Sequence, residues 1–258
     1  MPAWVRDVGA LPAAVLFDMD GLLVDTEPLW FAAESTVMAR MGVTMTTRDH
    51  AEFVGGPMSR VVEHMIDRAA GEHDPVEVAR SLKVEMEALL AAGPIAWMPG
   101  ARDLVRALAD ADVPRALVSS SGRALMRHVL AAINDDVGPA AFEVTLAGDE
   151  VERTKPHPDP YLRAAALLGV DPADCVVLED SHTGISAGLA AGCVVIAVPS
   201  VLPSARSMPS VVPSAGSIRP AVPSVVPSAR SIRPADRLHV RTSLEGLAPE
   251  SLPAHFSP

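Results

Sequence analysis

The sequence predicts an α/β protein: a doubly wound parallel sheet, interrupted after its first strand by an inserted helical domain. Three observations carry that reading. Short apolar runs alternate with amphipathic stretches across residues 13–198, the pattern of successive βαβ units. Most of these runs end directly in polar residues or glycine. One interval, residues 28–97, breaks the alternation and reads as helix only.

The elements follow in order. Residues 13–17 form the first strand, a β-branched and bulky apolar run that leads straight into Asp18. Residues 29–41, 59–70 and 75–91 carry apolar side chains at helical spacing and make up the insert. The second strand, 115–118, lies between helices at 101–111 and 123–132 and runs into Ser119. The third, 143–147, ends at Gly148. A helix at 158–168 leads to the fourth strand, 175–178, which ends at Glu179, and a helix at 184–191 leads to the fifth, 193–198. A strand near 238–240 closes the core. Residues 1–27 and 98–258 are therefore assigned to the sheet domain and 28–97 to the helical one.

Composition narrows the function. Of 258 residues, 49% are apolar, enough to bury a core and to exclude wholesale disorder. The longest apolar runs fall far short of the roughly 20 residues a membrane-spanning helix needs, so no membrane partner is expected. A net charge of −11 argues against a nucleic-acid backbone as partner, because that binding depends on clustered Lys and Arg. Cys175 and Cys193 sit in strand-like runs without metal-ligand or redox spacing and read as core thiols of a reducing compartment. Arg6 and Asp7 interrupt any apolar stretch of a signal peptide, which makes the cytoplasm the expected location.

Residues 199–235 stand apart. Pro, Ser, Val, Ala and Arg dominate, and residues 208–221 and 222–235 match at 12 of 14 positions. Prolines every few residues forbid a helix and interrupt a ladder, so the repeat is expected to be disordered.

The chemistry begins at the first strand, which delivers Asp18 and Asp20 two residues apart, with Gly21 next. In an open parallel sheet, ligands bind outside the carboxyl ends of the strands, near the topological switch point. Taken alone, the pair also fits, less well, a solvated acidic turn in which Gly21 supplies a positive φ. The other strand ends favour a site: Ser119, Ser120, Ser121 and Gly122 after the second, Glu179 and Asp180 after the fourth, and Lys155 ahead of a helix. Asp18, Asp20, Glu179 and Asp180 bring up to four negative charges together, which demands cations. A divalent metal and Lys155 supply them. Lys155 is one of only two lysines against 19 arginines, so a compact ammonium is wanted at that position.

These four segments, in this order and with a helical insert after the first, resemble the haloacid dehalogenase-like superfamily, whose core is Rossmann-like and whose insert is a cap. The resemblance implies that Asp18 is the nucleophile that attacks phosphorus and Asp20 the acid and base. It implies that Ser119, with Ser120, binds the phosphoryl group and that Lys155 neutralises nucleophile and phosphate. Mg²⁺ is then held by Asp18, the backbone carbonyl of Asp20 and Asp180, with Glu179 bound directly or through water. Because Asp20 is present, phosphate-ester chemistry is favoured over that of the dehalogenases and phosphonate hydrolases. Gly184 and Gly188 stand where the family has glycines that let a helix approach the sheet.

The cap is expected to choose the substrate. Glu27, Pro28, Leu29 and Trp30, and then Phe53 to Met58 with Gly55 and Gly56, are similar to the cap-entry and specificity segments of sugar-phosphate phosphatases. Gly55 and Trp30 are the substrate-binding candidates there, though Trp30 and Trp97 also fit interdomain packing and Gly55-Gly56 a simple turn. The related β-phosphoglucomutases carry His where Trp30 stands and Arg where Met58 stands. The expected activity is Mg-dependent hydrolysis of a small phosphate ester, most simply a sugar phosphate, by a monomeric enzyme. The rivals are a phosphosugar mutase and a non-catalytic phosphosugar-binding protein.

Overall fold

The computed structural model describes residues 11–51, 58–139, 141–199 and 237–253. Residues 200–235 of the repeat lie outside the described residues, as do Gly55 and Gly56. The strands are β1 (Ala14–Phe17), β2 (Arg115–Val118), β3 (Val144–Leu146), β4 (Cys175–Glu179), β5 (Val194–Ala197) and β6 (Leu238–Val240). All pair in parallel, in the order β3-β2-β1-β4-β5-β6. The order reverses between β1 and β4, which are direct neighbours with Phe17 opposite Leu178. In open parallel sheets the carboxyl ends of the strands at such a switch point are where ligands bind.

Burial on both faces explains why the strands read as unbroken apolar runs. Val15, Phe17, Leu117 and Leu178 face a cluster completed by α5 (Ala101–Asp110) and α6 (Arg123–Val137). Ala14, Leu16, Val118 and Val177 face the other cluster, with α7 (Asp159–Leu168) and α8 (His182–Ala190). Helix α8 lies close to the sheet because Gly188 has no side chain: a Cβ there would stand 2.9 Å from Val195 Cγ2 and 3.1 Å from Val177 Cγ1.

The insert contains α1 (Glu27–Arg40), α2 (Thr47–Ala51), α3 (Met58–Arg68) and α4 (Pro75–Ala92). Val37, Met38, Val62, Met65 and Leu82 form its own apolar cluster. The far part of α4, at Met86 and Leu90, joins the cluster of the sheet instead. Helix α4 starts at the point its sequence marks, with Asp74 accepting from the Val76 amide at 2.9 Å and Pro75 leading the first turn.

Three differences from the sequence reading have local causes. Helix α6 runs on through the polar residues Asn134, Asp135 and Asp136, because Ile133 and Val137 still pack beneath them; Gly138, at φ 103°, then ends it. Strand β3 is shorter than expected, since only Leu146 of its three residues is buried. Helix α2 was not foreseen, being five residues long with no apolar period. Among the described residues, no helix is long and apolar enough to cross a membrane.

Candidate active site

The sheet brings its polar strand ends together. Asp18 follows β1, Ser119 follows β2, and Glu179 and Asp180 close β4. The Asp18 amide donates to the Leu178 carbonyl at 3.0 Å, so the sheet ladder itself fixes where Asp18 stands. Lys155, from the loop before α7, reaches between the strands. Its Nζ donates to Asp18 Oδ1 at 2.5 Å, to Glu179 Oε1 at 2.6 Å and to the Val118 carbonyl at 2.9 Å, which uses all three of its protons.

Glu179 is fully buried and fully hydrogen-bonded. Oε1 accepts from Lys155 and from Tyr161 Oη at 2.7 Å; Oε2 accepts from the Ser181 amide at 3.1 Å and the Ser181 hydroxyl at 3.0 Å. Four donors match the four acceptor sites of a carboxylate, so a direct bond from Glu179 to a metal would have to displace one of them. Gly184 makes this arrangement possible, because a Cβ there would fall 1.6 Å from Glu179 Oε1.

Asp20 is held differently. Its Oδ1 accepts from Thr26 Oγ1 at 2.8 Å, and its Oδ2 from Ser121 Oγ at 2.8 Å and Ser119 Oγ at 3.2 Å. Gly21, at φ 78°, makes the turn that follows. Asp18 and Asp20 thus differ in environment: one is buried against an ammonium, the other is partly exposed and held by hydroxyls.

The electrostatics are those of too much carboxylate for one cation. Burial, and then the charges of Glu179, Asp180 and Asp20, outweigh Lys155 and push Asp18 well above the usual carboxylate range. Burial alone would lower Lys155, yet Asp18 and Glu179 hold it above its ordinary value. Neighbouring carboxylates thus contribute to both shifts, to that of Asp18 after burial. Asp18, Glu179 and Asp180 each offer an oxygen, and these atoms lie within 4.8 Å of one another. An all-oxygen donor set with uncompensated charge fits a hard divalent cation.

The remaining candidates are placed as follows. Ser120 is exposed, next to Ser119. Trp30 is half-buried and packs against the apolar cluster of the sheet, as does Trp97, whose Nε1 donates to Asp136 Oδ2 at 2.9 Å. Met58 packs on the cluster of the insert. The sequence reading missed Thr26 and Tyr161 as partners of the two acidic centres. Tyr161 left one signal, as the only tyrosine of the chain.

Residues 15–198 match the family of haloacid dehalogenase-like hydrolases. The chain belongs to this family. Hexitol phosphatase B of Escherichia coli K12 is 35% identical over 206 residues, 77% of this chain and 88% of that protein. The crystal structure of CbbY from Rhodobacter sphaeroides in complex with phosphate superposes with a TM-score of 0.65 at 28% identity, covering 73% of this chain and 87% of that one. A putative β-phosphoglucomutase from Thermotoga maritima gives 0.59 at 28% identity, covering 75% and 88%. This haloacid dehalogenase-like hydrolase is a phosphoric monoester hydrolase.

A second titratable group of the hydrolase lies in its insert. Glu34 is buried on α1, and its Oε2 is 2.6 Å from His50 Nδ1; burial pushes its carboxyl from 4.5 up to about 7, with the His50 contact offsetting part of the effect. Between those values the folded protein keeps a proton that the unfolded chain has released. The stability contributed is therefore complete below 4.5 and is lost as pH rises through about 7. The cost at pH 8 is on the order of 3 kcal/mol. Glu34→Gln is expected to melt with the wild type near pH 4.5 and about 5–10 °C above it at pH 8. A difference in Tm that does not change with pH would contradict this account.

Proposed function

We propose that this enzyme hydrolyses the phosphate ester of a small sugar or sugar alcohol through an aspartyl-phosphate formed on Asp18. The observation that carries the reading is the pairing of two unlike aspartates. Asp18 sits among Lys155, Glu179 and Asp180, whereas Asp20 is held on hydroxyls two residues away. That contrast supports one carboxylate as the nucleophile and the other as the proton carrier.

In the first half-reaction, Asp18 Oδ attacks phosphorus, the bond to the ester oxygen breaks, and Asp20 gives that oxygen its proton. In the second, Asp20 takes a proton from water, the resulting hydroxide attacks the aspartyl-phosphate, and inorganic phosphate leaves with Asp18 restored. Lys155 offsets the negative charge of Asp18 as the phosphate dianion arrives, and Ser119, with Ser120, hydrogen-bonds the phosphoryl group. Asp18, Asp180 and the Asp20 carbonyl, with Glu179 through water, would hold Mg²⁺, which would supply positive charge to offset that of the phosphoryl group. Residues 28–97 act as the cap that excludes water and chooses the alcohol, with Gly55 and the exposed edge of half-buried Trp30 as its contacts.

The polyol class is supported by the likeness to hexitol phosphatase B, which covers most of both chains. Hydrolysis, not phosphoryl return to a sugar, is supported by Trp30 and Met58. Both are apolar and pack partly against the neighbouring clusters, and neither position brings a cation for a second phosphate.

A phosphate-release assay over hexitol 6-phosphates, hexose phosphates and nucleotides tests the reading. Turnover is expected to favour the first two groups, to require Mg²⁺ and to vanish in EDTA. Bisphosphate-dependent isomerisation of a sugar phosphate without matching phosphate release would overturn it, as would undiminished turnover in EDTA.

A further inference from the structure

Helix α1 begins without the cap its sequence offers. A threonine before a helix normally accepts a hydrogen bond from an amide of the first turn. Thr26 makes no such bond; its Oγ1 donates instead to Asp20 Oδ1 at 2.8 Å. Thr26 is fully buried, and its carbonyl accepts from the amides of Leu29 and Trp30 at 3.0 and 2.9 Å. The direction of its hydroxyl is therefore set by the first turn of α1.

That turn is held from outside the helix. Glu27 opens α1, and its Oε2 lies 3.1 Å from His50 Nε2. The other ring nitrogen, Nδ1, lies 2.6 Å from Oε2 of buried Glu34, two turns farther along the same helix. Phe31 meets the imidazole edge-on, with ring centroids 5.4 Å apart at 76°. His50 belongs to α2 and thus clips two turns of α1 from a neighbouring element. A ring bonded at both nitrogens and packed on a third side is a fixed strut, the kind of support that holds a reacting group in place.

We propose that His50 is a positioning residue for Asp20: by bridging Glu34 and Glu27 it fixes the first turn of α1, and with it the Thr26 hydroxyl that aims the Asp20 carboxylate at the ester oxygen. This rests on the reading of Asp20 as the acid and base. The titratable groups around the bridge are Glu27 and Glu34 on α1, and Asp20 and Asp25 in the approach to α1, whose charges act on Glu27.

The test compares kcat/KM for three esters in Mg²⁺: a hexitol 6-phosphate, ethyl phosphate and p-nitrophenyl phosphate. The first two need a proton on the leaving oxygen, whereas p-nitrophenolate leaves without one. His50→Ala is expected to lower kcat/KM for both alkyl esters by about 10–100-fold, the scale of a misplaced acid, and for p-nitrophenyl phosphate by less than about threefold. Glu27→Ala should show the same pattern, the double variant should lose no more than the larger single loss, and Glu27→Gln, which keeps the acceptor, should stay near wild type. If His50→Ala does not fold, His50→Gln, which bonds one carboxylate at a time, is read in the same way. Equal losses on all three esters, a loss confined to the hydroxylated one, or no loss at all would overturn the proposal. If the wild-type enzyme releases phosphate from none of them, the acid/base reading has failed instead. Amide exchange then still decides the strut: it should quicken at Leu29 and Trp30 in His50→Ala and stay unchanged in α5 and α6, and unchanged exchange at the first pair would sink it.

Discussion

Asp18→Asn is expected to give a folded protein whose phosphate release falls by a factor on the order of 10⁴ or more. The two halves of this expectation have separate causes. The carboxamide is close to the carboxylate in size but cannot attack phosphorus, so the covalent route closes. The fold survives because Lys155 loses only one of its partners: Glu179 Oε1 and the Val118 carbonyl remain, at 2.6 and 2.9 Å. Removing a buried carboxylate whose charge is already disfavoured also relieves repulsion from Glu179 and Asp180. Tm should thus stay within a few degrees of wild type while activity disappears. Phosphate release near the wild-type rate would refute the assignment of the nucleophile. A collapse of Tm would refute the account of the charge balance.

The reason Asp18 could be singled out at all lies in the architecture. In a parallel sheet the residues after each strand converge on one edge, so four motifs far apart in the chain were legible as one site once the strands were placed. Strand β2 is observed at the expected residues, and Asp18, Ser119, Glu179 and Asp180 all follow directly from such placements. Gly184 and Gly188 were legible through the family resemblance, and each stands where a side chain would collide with the sheet or with Glu179. What could not be read were contacts made by tertiary packing alone. Thr26 looks like a helix cap, and only the fold shows its hydroxyl diverted to Asp20. His50 sits on a helix too short to show a period, 16 residues from one carboxylate partner and 23 from the other, with no regular element to fix those separations in advance. Tyr161 reads as one more apolar position of α7 until its hydroxyl is seen on Glu179. The legible part of the site is thus the part set by strand ends. The illegible part is the layer of hydroxyls and rings that orients it.

That layering bears on the second large expectation, which concerns stability more than rate. Lys155→Met replaces the ammonium with an apolar group of similar length, at a position where the lysine side chain is only 2% exposed. Glu179, fully buried, would then face Asp18 without a cation between them, while Tyr161 and Ser181 keep their bonds to it. Removing one partner of a buried ion pair typically costs 3–5 kcal/mol, because the survivor stays charged in a medium that solvates it poorly. Against a total stability of about 5–15 kcal/mol this is a large fraction, and a fall in Tm of about 6–20 °C is expected. Lys155→Arg should fare little better, since a planar guanidinium does not fit where a compact ammonium meets two carboxylates and a carbonyl. The decisive comparison is the double variant. If charge is what fails, Glu179→Gln in the Lys155→Met background should recover part of the lost stability, because it removes the deeper of the two unpaired charges while keeping the contacts to Tyr161 and Ser181. Millimolar Mg²⁺ should also raise the Tm of Lys155→Met by more than it raises that of the wild type, since the cation enters a cluster with one more uncompensated charge. A Lys155→Met protein within about 1 kcal/mol of wild type in urea unfolding, or a double variant less stable than the single one, would mean that Lys155 is held by packing and not by the carboxylates it joins.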